Sequence, residues 1–411
     1  MALKTVVLAG GGPGELSVLV PPGRSKHTLR IVGRPLIHYP LMAVGEAVGR
    51  DVILVYSSED VYREAVELSS VRIIGVRQEG EGVEEAVKSA AKELGGEDYF
   101  LLVYGDLVVD SKALFKVMES FYSYEPTMAV LTTPLEEKYV YTYGVASTDL
   151  NGLVRRVVEK PPSIDAVEKP AYTVGGVYVL PTWIIDCFEK GLGFTDALNK
   201  VASEGRAIAV HWNGLWIDVG YPADLLEATR QLLNALRGLH VSGGVEVERN
   251  VVIEPPAFID EGTYVDYGAV VKGPVYIGRG CFIGAHSFLR HYASLEGRVR
   301  VGAFSEVKNA NVQPNVVVDS YTYIGDSIIG GDSCIGSHVV TLNLLPDEET
   351  PPRLREHLVA PQSLKKPVRK LGAIIGYGAR IGAGTTLYPQ SVVQPMASIE
   401  PGSVYKVGRG V

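Results

Sequence analysis

Two aspartates, far apart in the sequence, each follow a short apolar run. Asp106 comes just after the apolar run 100–103, and Asp218 follows Trp216 and Ile217. If both runs are strands, the two carboxylates could meet at strand ends and hold one Mg²⁺, which prefers a few carboxylates completed by substrate phosphate oxygens. Either aspartate alone is better explained as a helix cap or a turn residue, and only their occurrence together with the motifs below favours the metal site.

A glycine-rich loop directly follows the first apolar run of the chain, at residues 10–14. Glycines allow main-chain N–H groups to approach a phosphate at the carboxyl end of a sheet strand. A tight turn with no ligand is the alternative interpretation. No Gly-Lys-Ser/Thr follows, so the loop is not a Walker A motif.

Two further motifs suit a sugar phosphate. The Glu159 carboxylate could fix sugar hydroxyls while the Lys160 ammonium neutralises a phosphate. An exposed ion pair before a turn is the alternative for these two residues. Gly175 and Gly176 would let the backbone lie flat against a ligand, or merely pack closely within a strand.

Residues 1–240 alternate short β-branched runs with amphipathic stretches. That alternation predicts βαβ units and a mostly parallel, doubly wound sheet, which is a Rossmann-like α/β domain. The predicted strands are 6–8, 52–56, 71–76, 100–103 and 128–132, and the predicted helices are 60–69, 83–94, 111–121 and 222–237.

Residues 241–411 follow a six-residue period instead. Aliphatic residues occupy every sixth position from Ile253 to Val307, the register then steps twice by five, and it resumes from Ile375 to Ile399. Neither a helix nor a simple strand selects every sixth residue, whereas a hexapeptide solenoid does. We therefore predict a parallel β-helix with three hexads in each coil. Residues 344–370 interrupt the repeat as either a functional arm or a mobile surface loop.

The composition excludes several classes of protein. The chain has 411 residues, a net charge of −8 and three cysteines. Its length predicts at least two domains, and its acidic balance argues against a nucleic-acid-binding face. No apolar run approaches the ~20 residues that span a bilayer. Because three scattered cysteines are too few for a disulfide framework, we expect a cytoplasmic protein with neither nucleic acid nor membrane as partner.

Taken in order, the motifs of the first 240 residues resemble those of the sugar-1-phosphate nucleotidylyltransferases. The motifs in order are LAGGG from residue 8, GRPLI from 33, YGD from 104, YGV from 143, EKP from 159, GGVY from 175 and WIDVGYPADL from 216. With the hexad repeat, the whole chain is similar to the archaeal bifunctional sugar-1-phosphate nucleotidylyltransferase/acetyltransferase enzymes, and more distantly to bacterial UDP-N-acetylglucosamine pyrophosphorylase. The resemblance implies a left-handed β-helix and an enzyme that transfers a nucleotidyl group from a nucleoside triphosphate to a sugar 1-phosphate.

The resemblance also implies roles for individual residues. The catalytic residues would be Lys26 against the phosphates, and Asp106 and Asp218 holding Mg²⁺. Nucleotide would be bound by Leu8, Ala9, Gly10, Gly11, Gly12, Gly105 and Gln78, the last of these on the base. The sugar phosphate would be surrounded by Gly144, Glu159, Lys160 and Gly176.

One position in the first domain departs from the family pattern. Leu16 stands where an arginine usually clamps the triphosphate, and Arg24 is a hypothetical substitute. Loss of one preorganised electrostatic partner costs about 10²–10³ in rate. The alternative hypothesis is therefore a regulatory paralogue that binds a nucleotide sugar with little or no turnover.

The repeat domain resembles acetyl-CoA-dependent acetyltransferases at Tyr323, Asn343 and Lys370. Those enzymes place a histidine three residues before the tyrosine as general base, and this chain has Ser320 there. We interpret His338 as a structural or surface residue. An acetyltransferase with an inert front domain is the third hypothesis. The resemblance further implies a homo-oligomer, a trimer assembled through the β-helix.

Overall fold

The computed structural model describes residues 3–49, 51–344 and 370–406. Unit 1 consists of Met1–Gly12 and Pro35–Asp218, and unit 2 consists of Pro13–Arg34 and Val219–Val411. Residues 13–34 and 219–240 are therefore grouped with the hexapeptide repeat. The sequence boundary at residue 240 stays a prediction. Within the interruption at 344–370, residues 345–369 lie outside the described ranges.

The helices and the first thirteen strands are numbered along the chain. The helices are α1 (His38–Ala47), α2 (Glu59–Leu68), α3 (Gly82–Leu94), α4 (Ser111–Tyr124), α5 (Ile184–Glu189), α6 (Phe194–Glu204) and α7 (Pro222–Ala235). The strands are β1 (Lys4–Ala9), β2 (Arg30–Ile31), β3 (Arg34–Pro35), β4 (Val52–Tyr56), β5 (Ile73–Arg77), β6 (Tyr99–Tyr104), β7 (Leu107–Val109), β8 (Met128–Pro134), β9 (Gly144–Thr148), β10 (Val154–Glu159), β11 (Ala171–Pro181), β12 (Ala207–His211) and β13 (Trp216–Asp218).

Unit 1 is built on a mixed sheet in the order β10-β9-β11-β6-β1-β4-β5, with β8 pairing both β11 and β12. Strands β6, β1, β4 and β5 are parallel, as predicted. The apolar runs of β1, β4 and β6 are continuous because side chains on both faces are buried, as in α/β sheets generally. Around β11 the pairing is antiparallel, and β9 and β10, which are joined by a short connection, also pair antiparallel. The Rossmann-like α/β class is confirmed.

The repeat forms a parallel β-helix in unit 2. Its strands are β14 (Leu239–Val241), β15 (Glu246–Val247), β16 (Val252–Glu254), β17 (Ala257–Ile259), β18 (Tyr264–Val265), β19 (Val270–Lys272), β20 (Val275–Ile277), β21 (Phe282–Ile283), β22 (Phe288–Leu295), β23 (Arg300–Val301), β24 (Glu306–Val312), β25 (Val317–Val318), β26 (Tyr323–Gly325), β27 (Ile328–Ile329), β28 (Cys334–Ile335), β29 (Val340–Thr341), β30 (Ile374–Ile375), β31 (Arg380–Ile381), β32 (Thr386–Leu387), β33 (Val392–Val393), β34 (Ser398–Ile399) and β35 (Val404–Tyr405).

The coil register follows the aliphatic period. Ile259 pairs with Ile277, and Ile277 with Leu295, so neighbouring strands are 18 residues apart. Each predicted step of five shortens a coil by one residue, and Leu295 consequently pairs with Val312. The predicted anchors from Ile259 to Val393 are all buried in one continuous core. Their hydrophobic burial stabilises the solenoid.

The remaining predictions from the sequence concern the cysteines and membrane-spanning segments. Cys187 and Cys281 are buried free thiols, and Cys334 is a half-buried one. No helix in the described ranges combines the length and apolar character needed to cross a membrane.

Candidate active site

The glycine loop lies at the carboxyl end of β1, beside the end of β6. The N–H of Gly105 donates to the Leu8 carbonyl at 2.8 Å, and a Cβ on Gly105 would lie 2.5 Å from that oxygen. Only glycine permits this approach. A Cβ on Gly11 or Gly12 would meet no described atom within 4 Å. One sheet edge thus gathers the predicted residues Leu8, Ala9, Gly10, Gly11, Gly12 and Gly105.

The Gln78 side chain lies against this loop. A Cβ on Gly10 would collide with the Gln78 amide. The Gln78 Nε2 group donates to the carbonyls of Gly80 and Gly82 at 3.1 and 3.2 Å, which fixes the orientation of the amide. Its Oε1 atom is buried and has no hydrogen-bond partner among the described residues. A buried acceptor of this kind suits an N–H donor of a ligand.

A two-stranded ribbon brings the two predicted aspartates together. Strand β7 pairs antiparallel with β13, and Asp218 lies opposite Leu107, the residue after Asp106. The Cα atoms of opposed residues in such a pair lie about 4.5–5.5 Å apart, so the two aspartates are close neighbours. Asp106 lies in the turn between β6 and β7.

Neighbouring aspartates cap the adjacent helices. Asp110 caps α4, its carboxylate accepting from the Lys112 N–H at 2.9 Å. Within unit 2, the Asp224 carboxylate accepts from the N–H groups of Gly220 and Tyr221 at 3.1 and 2.8 Å, at the start of α7. Asp110 is thus the N-cap residue of α4, and Tyr221 is that of α7, so neither Asp106 nor Asp218 is the N-cap of these two helices.

A half-buried tyrosine, Tyr104, and a buried one, Tyr178, which the sequence did not single out, lie next to the aspartates. The rings of Tyr104 and Tyr178 are 5.9 Å apart. Burial raises the pKa of both phenols. Smaller contributions to these raised pKa values come from the Glu159 and Asp106 charges at Tyr104, and from Glu159 and Asp218 at Tyr178. Three carboxylates therefore act on one phenol pair, which stays neutral and can donate hydrogen bonds.

The predicted sugar-phosphate residues face one another across the β9–β10 pair. Gly144 is opposite Glu159, and a Cβ on Gly144 would lie 3.0 Å from the Glu159 carboxylate. The Lys160 ammonium lies 3.7 Å from that carboxylate, and both side chains are more than half exposed. Lys160 takes a left-handed backbone with φ 45°, and its N–H donates to the Tyr143 carbonyl at 3.1 Å. Both charged groups therefore remain accessible to a ligand.

Gly176 and Trp216 link these residues to the ribbon that carries Asp218. Gly176 has φ +69°, and a Cβ there would lie 3.1 Å from the Tyr104 ring. The Trp216 indole N–H donates to the Gly175 carbonyl at 2.8 Å, and its ring contacts the edge of Tyr143 at 5.6 Å. The WID, GGVY and YGV motifs are therefore in mutual contact.

Residues 13–34 fall in unit 2. Lys26 begins a short 3₁₀ helix, Lys26–Thr28, in which the Ser25 side chain accepts from the His27 N–H. Leu16 is fully buried within another 3₁₀ helix, Gly14–Val18. Leu16 is therefore a core residue and not an exposed replacement for an arginine. The proposed role of Lys26 comes from the family resemblance.

A family model described as Nucleotidyl transferase matches residues 4–235, more than half of the chain. The chain belongs to the nucleotidyl transferase family. A second model, Bacterial transferase hexapeptide (six repeats), matches residues 256–291. Residues 4–235 contain the site residues described in unit 1 and also Lys26.

Several relatives and solved structures resemble this nucleotidyl transferase. A "Bifunctional sugar-1-phosphate nucleotidylyltransferase/acetyltransferase" of Sulfurisphaera tokodaii is 28% identical, over 98% of this chain and 97% of the relative. A "Bifunctional protein GlmU" of Methanocaldococcus jannaschii is 28% identical, over 93% of this chain and 90% of the relative. A solved UDP-glucose pyrophosphorylase from Acinetobacter baumanii is 23% identical, with a TM-score of 0.49, and covers 57% of this chain and 93% of its own.

The hexapeptide domain of this nucleotidyl transferase has its own polar cluster. The predicted residues Tyr323, Asn343 and Lys370 gather around Asp326, whose carboxylate is buried. Asn343 Nδ2 donates to the Tyr323 hydroxyl at 3.3 Å and to the Asp326 carboxylate. Lys370 Nζ lies 3.5 Å from the same carboxylate. Asp326 is the central residue of this cluster, and the only signal for it in the sequence is its position three residues after Tyr323.

Two more basic residues lie on the same face of the coil. Lys308 Nζ is 3.7 Å from the Asp326 carboxylate, and burial lowers the pKa of this lysine, as do the charges of Lys370 and Arg290. Arg290 pairs with Glu306 at 2.7 Å. Two lysines, Lys308 and Lys370, thus lie next to the Asp326 carboxylate.

His338 does not take the place of the missing histidine. It is exposed at a corner of the coil and stacks on Tyr321, with ring centroids 5.1 Å apart. The Ser320 carbonyl accepts from the His338 N–H at 3.2 Å. The structure therefore agrees with the interpretation of His338 as a surface residue.

Proposed function

We propose that this nucleotidyl transferase joins a sugar 1-phosphate to the nucleotidyl group of a nucleoside triphosphate. A sugar-phosphate oxygen attacks the α-phosphorus, the bond to the β-phosphate oxygen breaks, and pyrophosphate leaves with that electron pair. Catalysis in such transfers is chiefly alignment and charge neutralisation. The observation that carries the proposal is the β7–β13 pairing, which brings Asp218 beside Asp106. The name of the Sulfurisphaera tokodaii relative, a sugar-1-phosphate nucleotidylyltransferase/acetyltransferase, supports the same reaction.

The residues at the sheet edge supply the nucleotide subsite of this proposal. The main-chain N–H groups of Gly11 and Gly12 lie where no described side chain would block a phosphate. Gln78 Oε1, buried and without a described partner, would accept a hydrogen bond from the base. Lys26 would contribute positive charge to the phosphates, as the family resemblance implies.

The sugar phosphate would lie along the β9–β10 pair. The exposed Glu159 carboxylate would accept hydrogen bonds from sugar hydroxyls, and the adjacent Lys160 ammonium would contact the phosphate. Gly144 and Gly176 pack closely against Glu159 and Tyr104 respectively, so a side chain at either position would displace residues of this subsite. The neutral phenols of Tyr104 and Tyr178 interact electrostatically with the Glu159 carboxylate.

The chemistry of the donors fits a divalent cation. No group of three or more His, Cys, Asp or Glu side chains that could hold a metal occurs in the described ranges. Mg²⁺ commonly uses one or two carboxylates together with substrate phosphates, which agrees with the Asp106 and Asp218 pair. A Mg²⁺ ion bound there would neutralise charge on the phosphates during transfer.

One assay tests the proposal against the silent paralogue. The protein is incubated with Mg²⁺, each of several nucleoside triphosphates and each of several sugar 1-phosphates, and pyrophosphate release is followed. We expect release with at least one pair, and a lower base selectivity for Gln78→Leu. Nucleotide-sugar binding without release by any pair would support the silent paralogue instead.

Acetyl transfer is the second candidate function, favoured by the convergence of Tyr323, Asn343 and Lys370 on Asp326. With Ser320 in the histidine position and Asp326 paired to lysines, a general base is missing from the described cluster. Thiol release from acetyl-CoA in the presence of amino-sugar 1-phosphates tests this activity. The proposed trimer is tested by light scattering coupled to size exclusion. The cytoplasmic location stays a prediction.

A further inference from the structure

The 13–34 segment is hydrogen-bonded to the β-helix on both sides of Lys26. On the amino-terminal side, the Val18 carbonyl accepts from the Tyr377 N–H at 2.9 Å. On the carboxyl-terminal side, Gln313 binds both backbone groups of Arg30. Its Oε1 accepts from the Arg30 N–H at 3.0 Å, and its Nε2 donates to the Arg30 carbonyl at 2.7 Å. All of these residues belong to unit 2.

A buried carboxylate completes the second anchor. Glu296 is 6% exposed. Its Oε1 accepts from the Val32 N–H at 2.9 Å, and its Oε2 accepts from the Gly33 N–H at 2.7 Å. Ser294 Oγ also donates to Oε1 at 2.6 Å, and Asn311 Nδ2 does so at 3.2 Å. Backbone N–H groups bonded to a carboxylate are held more strongly than those bonded to a neutral acceptor.

Gly33 is confined on its other side by an aromatic ring. It has φ +82°, and a Cβ there would collide with the Tyr276 phenol. The phenol is itself 3.4 Å from the Asp260 carboxylate, to which it donates. Gly33 therefore fits only between the Glu296 carboxylate and the Tyr276 ring.

We infer that Glu296, a residue of the hexapeptide coil, is a positioning residue for nucleotidyl transfer. It fixes the backbone at Val32 and Gly33 and so holds the segment that carries Lys26. The inference rests on the proposed function, because Lys26 matters only if phosphates are bound. It also gives the hexapeptide coil a role in nucleotidyl transfer that does not depend on acetyl transfer.

The hydrogen bonds of the Glu296 carboxylate determine the effect of the substitution Glu296→Gln. Oε1 receives three donors, from Val32, Ser294 and Asn311, so the oxygen of a glutamine would occupy that position. The NH₂ group would then face the Gly33 N–H, donor against donor. Glu296→Gln should release Gly33 while it keeps Val32 and the coil core in place. Gly33→Ala should displace the same backbone from the opposite side.

The experiment compares the full-length protein with Glu296→Gln, Gly33→Ala and the control Glu261→Gln. Glu261 is a coil carboxylate paired only on the surface, to Arg279 at 3.2 Å. Two quantities are measured: hydrogen exchange of the amides at 30–33, and the KM for each substrate of the pyrophosphate-release reaction. For Glu296→Gln we expect roughly tenfold faster exchange at residue 33. We also expect roughly a tenfold higher KM for the triphosphate, with the KM for the sugar phosphate and the melting temperature little changed.

The outcomes separate this inference from the proposed function. Faster exchange with an unchanged triphosphate KM would overturn the positioning role. So would an equal rise in the KM values for both substrates together with a lower melting temperature. If Glu296→Gln does not fold, Glu296→Asp, which keeps the charge but shortens its reach, should show the same selective loss at smaller size. If the unmodified protein releases no pyrophosphate, the proposed function fails. Calorimetric binding of the triphosphates with Mg²⁺ to the same variants then decides the inference, with weaker binding expected for Glu296→Gln and Gly33→Ala but not for Glu261→Gln.

Discussion

Asp218 lies directly across the β7–β13 ribbon from Leu107, one residue beyond Asp106. If this pair holds the cation, Asp106→Asn and Asp218→Asn should each lower the rate of pyrophosphate release at least about 100-fold. Both variants should also need more Mg²⁺ for half-maximal rate. Asp186→Asn, an exposed aspartate of α5, is the matched control and should keep its rate. Activity of either site variant within threefold of the parent would contradict the assignment.

Leu16 should not accept the arginine that the family pattern expects. Its side chain is fully buried, so Leu16→Arg would place an unpaired charge in the core. We expect this substitution to lower the free energy of unfolding by about 3 kcal/mol or more, with no gain in turnover. Leu16→Met should cost less than about 1.5 kcal/mol. Urea unfolding measures both, and a faster, equally stable Leu16→Arg protein would show that position 16 can reach the phosphates.

Asp326 should be important for the stability of the coil. Asp326→Asn leaves Lys308 and Lys370 without their carboxylate, and Lys308 is largely buried. We expect the free energy of unfolding to fall by about 3 kcal/mol, while Asp319→Asn on the exposed surface changes it little. Adding Lys308→Met to Asp326→Asn should recover part of the loss, because the buried charge is then removed. Full additivity of the two changes would argue against the ion pair.

His211 should make unit 1 sensitive to mild acid. Burial lowers its pKa below 6.5, and the Lys116 charge lowers it further. Its ring bonds Thr132 at 2.8 Å and contacts Tyr172. Below about pH 6.5 the unfolded state binds a proton at this site more readily than the folded state, so the free energy of unfolding falls as the pH falls to the folded-state pKa. Below that pKa the contribution is constant.

The variant His211→Gln isolates this contribution. The difference in melting temperature between the protein and His211→Gln, measured from about pH 8 to pH 5, should change in favour of the variant as the pH falls. A difference that stays constant over that range would show that His211 is not protonated differently in the folded and unfolded states.

Much of the fold follows from local sequence patterns. The six-residue aliphatic period predicted the β-helix because each anchor must point into the coil, and the anchors from Ile259 to Val393 are buried as expected. The apolar runs predicted β1, β4 and β6 because strands buried on both faces need continuous hydrophobic residues. The antiparallel pairing around β11 was not predicted, because strand direction depends on connections and not on composition.

The candidate site was likewise predicted from the sequence only in part. Motifs alone made Asp106, Asp218 and Glu159 candidates, because carboxylates at strand ends are visible as residue types, whereas Gln78 was implied only by the family resemblance. The Tyr104 and Tyr178 pair, on which three carboxylates act, was not predicted.

The sequence by itself thus determined which residues are anchors, strands and candidate ligands, since burial period and local chemistry are short-range properties. Only the tertiary structure decided that β13 pairs with β7, that Asp326 pairs with two lysines, and that Glu296 accepts hydrogen bonds from the backbone of Val32 and Gly33. These contacts join residues distant in the chain, and their partners are selected by strand pairing and by the need to satisfy buried polar groups. Long-range contacts of this kind produce no periodic pattern in the sequence.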